Sequence, residues 1–253
     1  MKKLSKIDNK NIDRVLSHIK NSGPTRNIFD SDRHQEYFLS NEALIEEIKR
    51  FLEQERFSPQ HIFLPERTEG NMSDSPSWLG SYKRMRSPGV ITLNVSNITN
   101  FAWYICSELL IRDHEITTEV FDQIAYNVTY KTIYHELFHH YTDFVRIFTD
   151  GRSQYDFYIE EALAVAFSRI YLGIENNNLP LYTDLFSIAY DYKGPGYCNW
   201  KDYQSEQLFI RELIEYSAYP ALLGATEKKN LFKICQANLE AIVNYPNVIF
   251  ELN

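Results

Sequence analysis

Hydrophobic and polar positions follow a helical period over most of the chain beyond residue 97. Apolar residues recur there every three or four positions, as they do on one face of a helix with 3.6 residues per turn. The pattern predicts helices over 99–113, 117–148, 156–172, 180–191, 201–217 and 226–244. Gly173 is a helix stop signal, and "KGPGYCNW" at 193–200 predicts a loop.

The first hundred residues show a different pattern of hydrophobic and polar positions. Amphipathic patterns predict helices over 8–21 and 41–57, with a loop between them. From 60 to 95, Gly, Pro, Ser and Asp separate three short β-branched or aromatic runs: "HIFLP", "WLGSYKR" and "GVITLNV". These runs predict a small sheet, with "GVITLNV" as its clearest strand. The predicted fold class is therefore α+β, a small sheet followed by a mostly helical body.

Composition places the chain among globular proteins and excludes several partners. The 253 residues are 44% hydrophobic and 24% charged, and the net charge of −8 argues against nucleic acid as a partner. Three widely spaced cysteines argue against a disulfide framework and against a cysteine zinc site. Neither a signal-peptide pattern nor a membrane-spanning run occurs. We expect a cytoplasmic protein without a membrane partner, and secretion by a signal-less route stays open.

Candidate chemistry is concentrated in "IYHELFHHY" at 133–141. His135 and His139 are four residues apart, which on a helix means an offset of about 40° and about 6 Å. Both imidazoles can therefore reach one zinc ion at about 2.0–2.1 Å. Glu136 lies about 100° around from His135, where it can miss the metal and still reach a metal-bound water. This His-Glu-x-x-His pattern supplies two metal ligands and a general base within one turn.

The apolar positions of the same predicted helix indicate that it is buried on two sides. Five apolar residues form a stripe roughly opposite the histidines: Ile133, Leu137, Tyr141, Phe144 and Phe148. Three more lie upstream near the histidine side: Phe121, Ile124 and Val128. We therefore expect the histidines to line a cleft between two packed layers. An ordinary helix can also carry these polar residues by chance, so the decision needs a third ligand.

The third ligand has to be a carboxylate. No histidine follows His140, and Thr142 and Val145 break the extended pattern that supplies a third histidine. The helix "FYIEEALAVAFSRIYLG" at 157–173 carries Glu160 and Glu161 on a largely apolar background, and a buried carboxylate there needs a partner. Glu161 lies opposite the apolar stripe of its helix, which favours it over Glu160.

Two further alternatives compete with the assignment of Glu161 as a metal ligand. Asp150, in "FTDG" soon after the histidine helix, is another candidate ligand, although an Asp-Gly turn is sufficient reason for it. A salt bridge from Glu161 to Arg146 or Arg169 would account for that carboxylate without any metal.

Together, His135-Glu136-Leu137-Phe138-His139 and Glu161-Ala162-Leu163-Ala164 on the next helix resemble the gluzincin zinc metallopeptidases. The upstream "WLGSYKRMRSPGVITLN" resembles their small sheet, so the resemblance covers about residues 78–172. It implies a zincin-like fold with one Zn²⁺ per chain, held by His135, His139 and Glu161. It also implies a hydrolase of peptide bonds that acts on a peptide or protein, with metal-bound water activated by Glu136.

The resemblance has further implications for the site. Gluzincin-like enzymes hold substrate as a strand added to a sheet edge, and "GVITLNV", with Asn94 near its end, is the expected edge. A tyrosine would steady the oxyanion, and the candidates are Tyr190, Tyr192 and Tyr197. We expect His140 to be exposed and Cys106 to be a buried small hydrophobe.

The expected division of the chain follows from this resemblance. It comprises an N-terminal helical region over 1–58, a zincin-like catalytic core over 59–173 and a C-terminal helical subdomain over 174–253.

Two alternatives differ in function class. One is a non-catalytic binding or regulatory protein on a gluzincin-like fold, with a structural or lost metal. The other is a helical interaction protein with an accidental His-Glu-x-x-His. Metal content separates the second alternative from the other hypotheses, and a peptide-cleavage assay separates the first from a peptidase.

Overall fold

A computed structural model describes residues 10–21, 79–84, 87–148, 156–173, 180–191, 197–217 and 230–253. The fold is α+β, mainly helical with one small sheet, as predicted. Its elements in chain order are α1 (Lys10–Asn21), β1 (Gly80–Lys83), β2 (Gly89–Leu93), α2 (Val95–Ile111), α3 (Thr118–Phe148), α4 (Phe157–Leu172), α5 (Pro180–Ala189), a 3₁₀ helix (Tyr197–Tyr203), α6 (Glu206–Tyr216), α7 (Leu231–Asn244) and β3 (Val248–Leu252). The predicted helix over 41–57 and the run "HIFLP" lie outside the described residues.

The sheet has the strand order β1-β2-β3. β1 pairs with β2 in an antiparallel arrangement, with Tyr82 opposite Ile91. β3 pairs with β2 in parallel, with Ile91 opposite Phe250. The expectation that "GVITLNV" forms a free edge is therefore wrong, because neighbouring strands occupy both sides of β2. β3 was not predicted from the sequence.

Capping side chains set helix boundaries that periodicity alone misplaced. The Asn94 side chain accepts a hydrogen bond from the backbone N–H of Asn97 at 3.0 Å, so α2 begins at Val95 rather than at residue 99. Ser205 caps α6 in the same way through the N–H of Leu208. The start of the helix predicted over 201–217, and the end of the loop predicted over 193–200, instead form the 3₁₀ helix.

Helix α4 carries both candidate glutamates and has clear signals at its two ends. Asp156 accepts hydrogen bonds from the N–H groups of Tyr158 and Ile159, which fixes its first turn. Gly173 ends the helix with φ of 63°, the left-handed conformation that glycine adopts without a Cβ penalty. The predicted stop at Gly173 is confirmed.

Helix α3 runs for 31 residues through the centre of the molecule. It is buried on two sides, as the sequence predicts, with Val128, Ile133 and Leu137 all inaccessible to solvent. Phe144 is an exception, because the predicted stripe places it inward and 47% of it is exposed.

The hairpin of β1 and β2 lies directly against α3. A Cβ atom added to Gly80 would stand 2.7 Å from Cγ2 of Thr132, and one added to Gly89 would stand 2.8 Å from Nδ1 of His140. The two glycines therefore permit the close approach of sheet and helix.

The hydrophobic core joins both ends of the described chain. Ile12 of α1, Phe250 of β3 and the apolar residues of α3 belong to one cluster. β3 thus places the end of the predicted C-terminal subdomain in the sheet of the predicted core. Cys106 is buried, as expected, and its thiol is free. Among the described residues, no helix combines the length and apolar character that crossing a membrane requires.

Candidate metal centre

Three predicted ligands from α3 and α4 converge on one point. The Nε2 atoms of His135 and His139 are 3.3 Å apart. Glu161 approaches both rings, with Oε2 at 3.1 Å from Nε2 of His135 and Oε1 at 3.5 Å from Nε2 of His139. One ligand atom from each of the three residues lies within 4.8 Å of the other two.

The separations of 3.3 and 3.5 Å fit a tetrahedral metal ion, and the separation of 3.1 Å is slightly shorter. Ligand atoms bonded to one zinc ion at about 2.0–2.2 Å lie about 3.3–3.6 Å from one another. Oε2 of Glu161 is buried and, within the described part of the chain, makes no hydrogen bond despite its closeness to His135. The three groups therefore converge on a shared position, where they lie in contact with one another. Two imidazoles with a carboxylate are a donor set that zinc accepts.

The electrostatics of this site favour a cation. Burial lowers the pKa of the His139 imidazole, but hydrogen bonds to Glu160 and Glu161 outweigh burial and raise that pKa to about 10. Burial would raise the pKa of the Glu161 carboxyl, yet His135 and His139 hold it well below its usual value. The carboxylates therefore retain their negative charge in a buried site, where a positive ion is stabilised most strongly.

Glu136 adjoins this point and is itself buried. Burial raises the pKa of its carboxyl, while the nearby His135 and His139 act in the opposite direction. Its Cγ atom would lie 3.2 Å from a Cβ added to Gly80, so β1 passes directly over it. A buried carboxylate with a raised pKa, next to candidate ligands without being one, is suited to accept a proton.

Glu160, the alternative third ligand, occupies a different place. Its Oε1 atom accepts a hydrogen bond from Nδ1 of His139 at 2.7 Å, on the far side of that ring from the candidate metal position. The salt bridge to Arg146 that was considered for Glu161 is made by Glu160 instead. Asp150, the third candidate, lies outside the described residues.

The described candidate tyrosines differ in what surrounds them. Tyr190 is buried against Trp200, and its hydroxyl lies 3.3 Å from Oγ of Ser168, two turns along α4 from Glu161. The ring of Tyr197 stacks on His135 with centroids 6.0 Å apart and an interplanar angle of 11°. Tyr192 lies outside the described residues.

The expectation that His140 is exposed is wrong. It is half-buried between α3 and the sheet, with Nδ1 at 3.3 Å from the Tyr82 hydroxyl. Burial lowers the pKa of its imidazole. The physical reason is that the sheet covers this face of α3, and the sequence does not reveal which face a sheet will cover.

Sequence reasoning missed several residues that surround the ligands. Arg84 and Tyr216 both bind Glu160 from other elements, and Gly80 sets the distance between β1 and Glu136. The one signal in the sequence was the adjacent pair Glu160-Glu161 on an apolar helix, since two buried carboxylates require separate partners.

No match to this chain was found among protein-family models, among curated proteins or among solved structures.

Proposed function

We propose that the chain is a zinc-dependent peptidase of gluzincin type. The convergence of His135, His139 and Glu161 at tetrahedral ligand spacing carries this proposal. The buried carboxylate of Glu136 beside that point supports hydrolysis over a purely structural metal, because a structural zinc site is closed by four ligands and needs no base.

A zinc ion held by these residues would lower the pKa of a bound water toward about 7 and polarise the scissile carbonyl. Glu136 accepts the proton of the attacking water and returns it to the leaving amine nitrogen. Its burial serves this role because a carboxyl with a raised pKa holds the proton long enough to deliver it.

Substrate docking is reassigned to β1. β2 is the central strand of the sheet, whereas β1 pairs with a described strand on one side only. β1 also crosses Glu136 at Gly80. An extended peptide that hydrogen-bonds to the backbone of β1 would therefore lie beside the general base.

Tyr197 is the tyrosine that we assign to the oxyanion. Among the described candidates it alone contacts a proposed ligand, through its ring on His135. A phenol hydroxyl beside the ligands can donate to the negative oxygen that forms in the transition state.

The decisive experiment compares zinc content and affinity in the parent and in Glu161→Ala. We expect about one zinc per chain in the parent, and a large loss of affinity in Glu161→Ala because a direct ligand is removed. Glu160→Ala and Asp150→Ala serve as comparisons, since they test the two alternative ligands.

The ligand assignment fails if Glu161→Ala binds zinc like the parent while another of these variants does not. The metal proposal fails if the parent takes up far less than one equivalent after zinc is added. Cleavage of a peptide library by the zinc-loaded parent, blocked by a chelator and restored by zinc, then tests the peptidase activity.

A further inference from the structure

The carboxylate of Glu160 is the centre of a buried hydrogen-bond cluster, which we call the Glu160 cluster. Glu160 is 0% exposed, so each of its oxygens depends on protein donors. Five side chains donate to it, one from the residue directly after β1 and the others from α3 and α6: Arg84, His139, Thr142, Arg146 and Tyr216. A metal ligand cannot accept this many donors and keep a free lone pair for the ion, which places Glu160 outside the ligand set.

The bond to His139 fixes the orientation of that imidazole. A carboxylate only accepts hydrogen bonds, so Nδ1 of His139 is the donor across the 2.7 Å contact. In the neutral imidazole, the form that binds a metal, Nε2 then carries the lone pair, and it faces His135 and Glu161. Glu160 thereby selects the tautomer in which His139 can bind a metal.

His135 lacks such an anchor. Its Nδ1 atom is buried and has no hydrogen-bond partner within the described segments, and its ring rests on Tyr197 instead. The two histidines are therefore held by different means, one by a charged hydrogen bond and the other by stacking.

Two arginines hold the charge of Glu160. Arg84 bridges Glu160 and Asp143 with its two terminal nitrogens, at 2.8 and 3.1 Å. Arg146 contacts the same two carboxylates from α3. Burial would raise the pKa of the Glu160 carboxyl, but its bonds to His139 and Tyr216 and the charge of Arg84 hold that pKa well below its usual value.

We propose that Glu160 is a positioning residue for the metal centre, which fixes His139 through Nδ1 and is itself held by Arg84 and Arg146. The inference rests on the proposed zinc site. It adds that Arg84, the residue directly after the proposed docking strand β1, is tied through Glu160 to His139, so that strand and metal centre keep a fixed geometry.

The test measures zinc affinity by chelator competition, and the zinc-induced rise in Tm, for the parent and Glu160→Gln. We expect affinity to fall by about 10–100-fold, because an amide cannot satisfy both arginines and still fix His139. The rise in Tm on zinc addition should shrink accordingly, since stabilisation by a ligand follows its affinity. Glu215→Gln is the matched control, because that glutamate forms an exposed ion pair with Arg211 and should bind zinc like the parent.

The outcomes separate this inference from the proposed function. If the parent itself binds no zinc, the metal site is refuted. If the parent binds zinc and Glu160→Gln binds it equally, only the positioning role is overturned. A variant whose metal-free Tm falls while its zinc-induced rise in Tm is unchanged would likewise show a purely structural role and overturn the inference.

Arg84 provides a second, milder test in case Glu160→Gln does not fold. Its side chain is 34% exposed, so substitutions there disturb the core less. We expect Arg84→Gln to weaken zinc binding by about tenfold and Arg84→Lys to restore part of the loss, because lysine keeps the charge without the bidentate bridge. Equal affinities in Arg84→Gln, Arg84→Lys and the parent would contradict the proposal.

Discussion

At the scale of single residues, Glu136 and Glu161 are both buried carboxylates of one small site, yet their surroundings shift their pKa values in opposite directions. Glu161 lies between two imidazoles whose proximity holds its pKa down, so it is ionised and available as a ligand. Burial raises the pKa of Glu136, which makes it a better proton acceptor. Active sites commonly use two carboxylates in different roles when their environments shift the two pKa values in opposite directions.

Substituting Glu136 should separate binding from catalysis. Glu136→Gln keeps the volume of the side chain and removes the base, so we expect zinc binding to be retained and peptidase activity to fall by about two to four orders of magnitude. Metal analysis and peptide cleavage on the same preparation measure both properties. Loss of zinc from this variant would instead identify Glu136 as a ligand.

At the scale of elements, two glycines control how the hairpin packs on α3. Gly80→Ala forces a methyl group against Thr132 and Glu136, and Gly89→Ala forces one against His140 and Tyr82. Each should lower the free energy of unfolding by about 1–3 kcal/mol, as overpacking does. Only Gly80→Ala should also reduce kcat/KM, by up to about 100-fold, because only Gly80 adjoins Glu136, the proposed general base.

This pair of variants controls for stability. Denaturant unfolding measures the cost of each methyl group, and peptide cleavage measures activity under conditions where both variants are folded. Equal activity losses in Gly80→Ala and Gly89→Ala would mean that β1 has no special relation to Glu136.

Lys131 joins α3 to α5, and we expect its contribution to stability to depend on pH. Its ammonium donates to the carbonyl of Ala189, at the last residue of α5, and lies over the rings of Phe101 and Tyr190. Burial lowers the pKa of Lys131 to about 7 from its ordinary 10.5. Between these two values the unfolded chain binds this proton more readily than the folded chain does.

Stability should therefore rise with pH between about 7 and 10.5 through Lys131, at up to about 1.4 kcal/mol per pH unit. Below pH 7 both states are protonated and this contribution is constant. We expect the difference in free energy of unfolding between the metal-free parent and Lys131→Met to grow in favour of the parent over this range. A difference independent of pH would show that Lys131 titrates normally in the folded protein.

At the scale of the whole molecule, β3 closes the fold by pairing with β2, a strand from the first half of the chain, so that Gly89 lies opposite Val248. Phe250 points inward and is 3% exposed, whereas its neighbour Ile249 is 50% exposed. Phe250→Ala should cost about 3–5 kcal/mol through cavity formation, which denaturant unfolding measures. Ile249→Ala on the opposite face should cost far less, and a comparable loss in both variants would contradict the described orientation of β3.

The local sequence predicted most of the described helices and the pair of histidines that α3 contributes to the site. The period of apolar residues and Gly173 after α4 are local signals, and they placed α3 and α4 within one residue of their described ends. The spacing of His135 and His139 is likewise a property of one helix. It needs no knowledge of the rest of the fold, because residues four apart always share a helix face.

The sequence by itself therefore determined which helices form and which side chains on them share a face. The stripe of α4 also favoured Glu161 over Glu160. Tertiary structure alone decided that β2 is central, that the sheet covers His140, and that Glu160 turns behind His139. These outcomes depend on contacts between segments far apart in the chain, such as Arg84 and Tyr216 with Glu160. A helical period records only that a face is buried, because what buries it is set by the packing of the other elements.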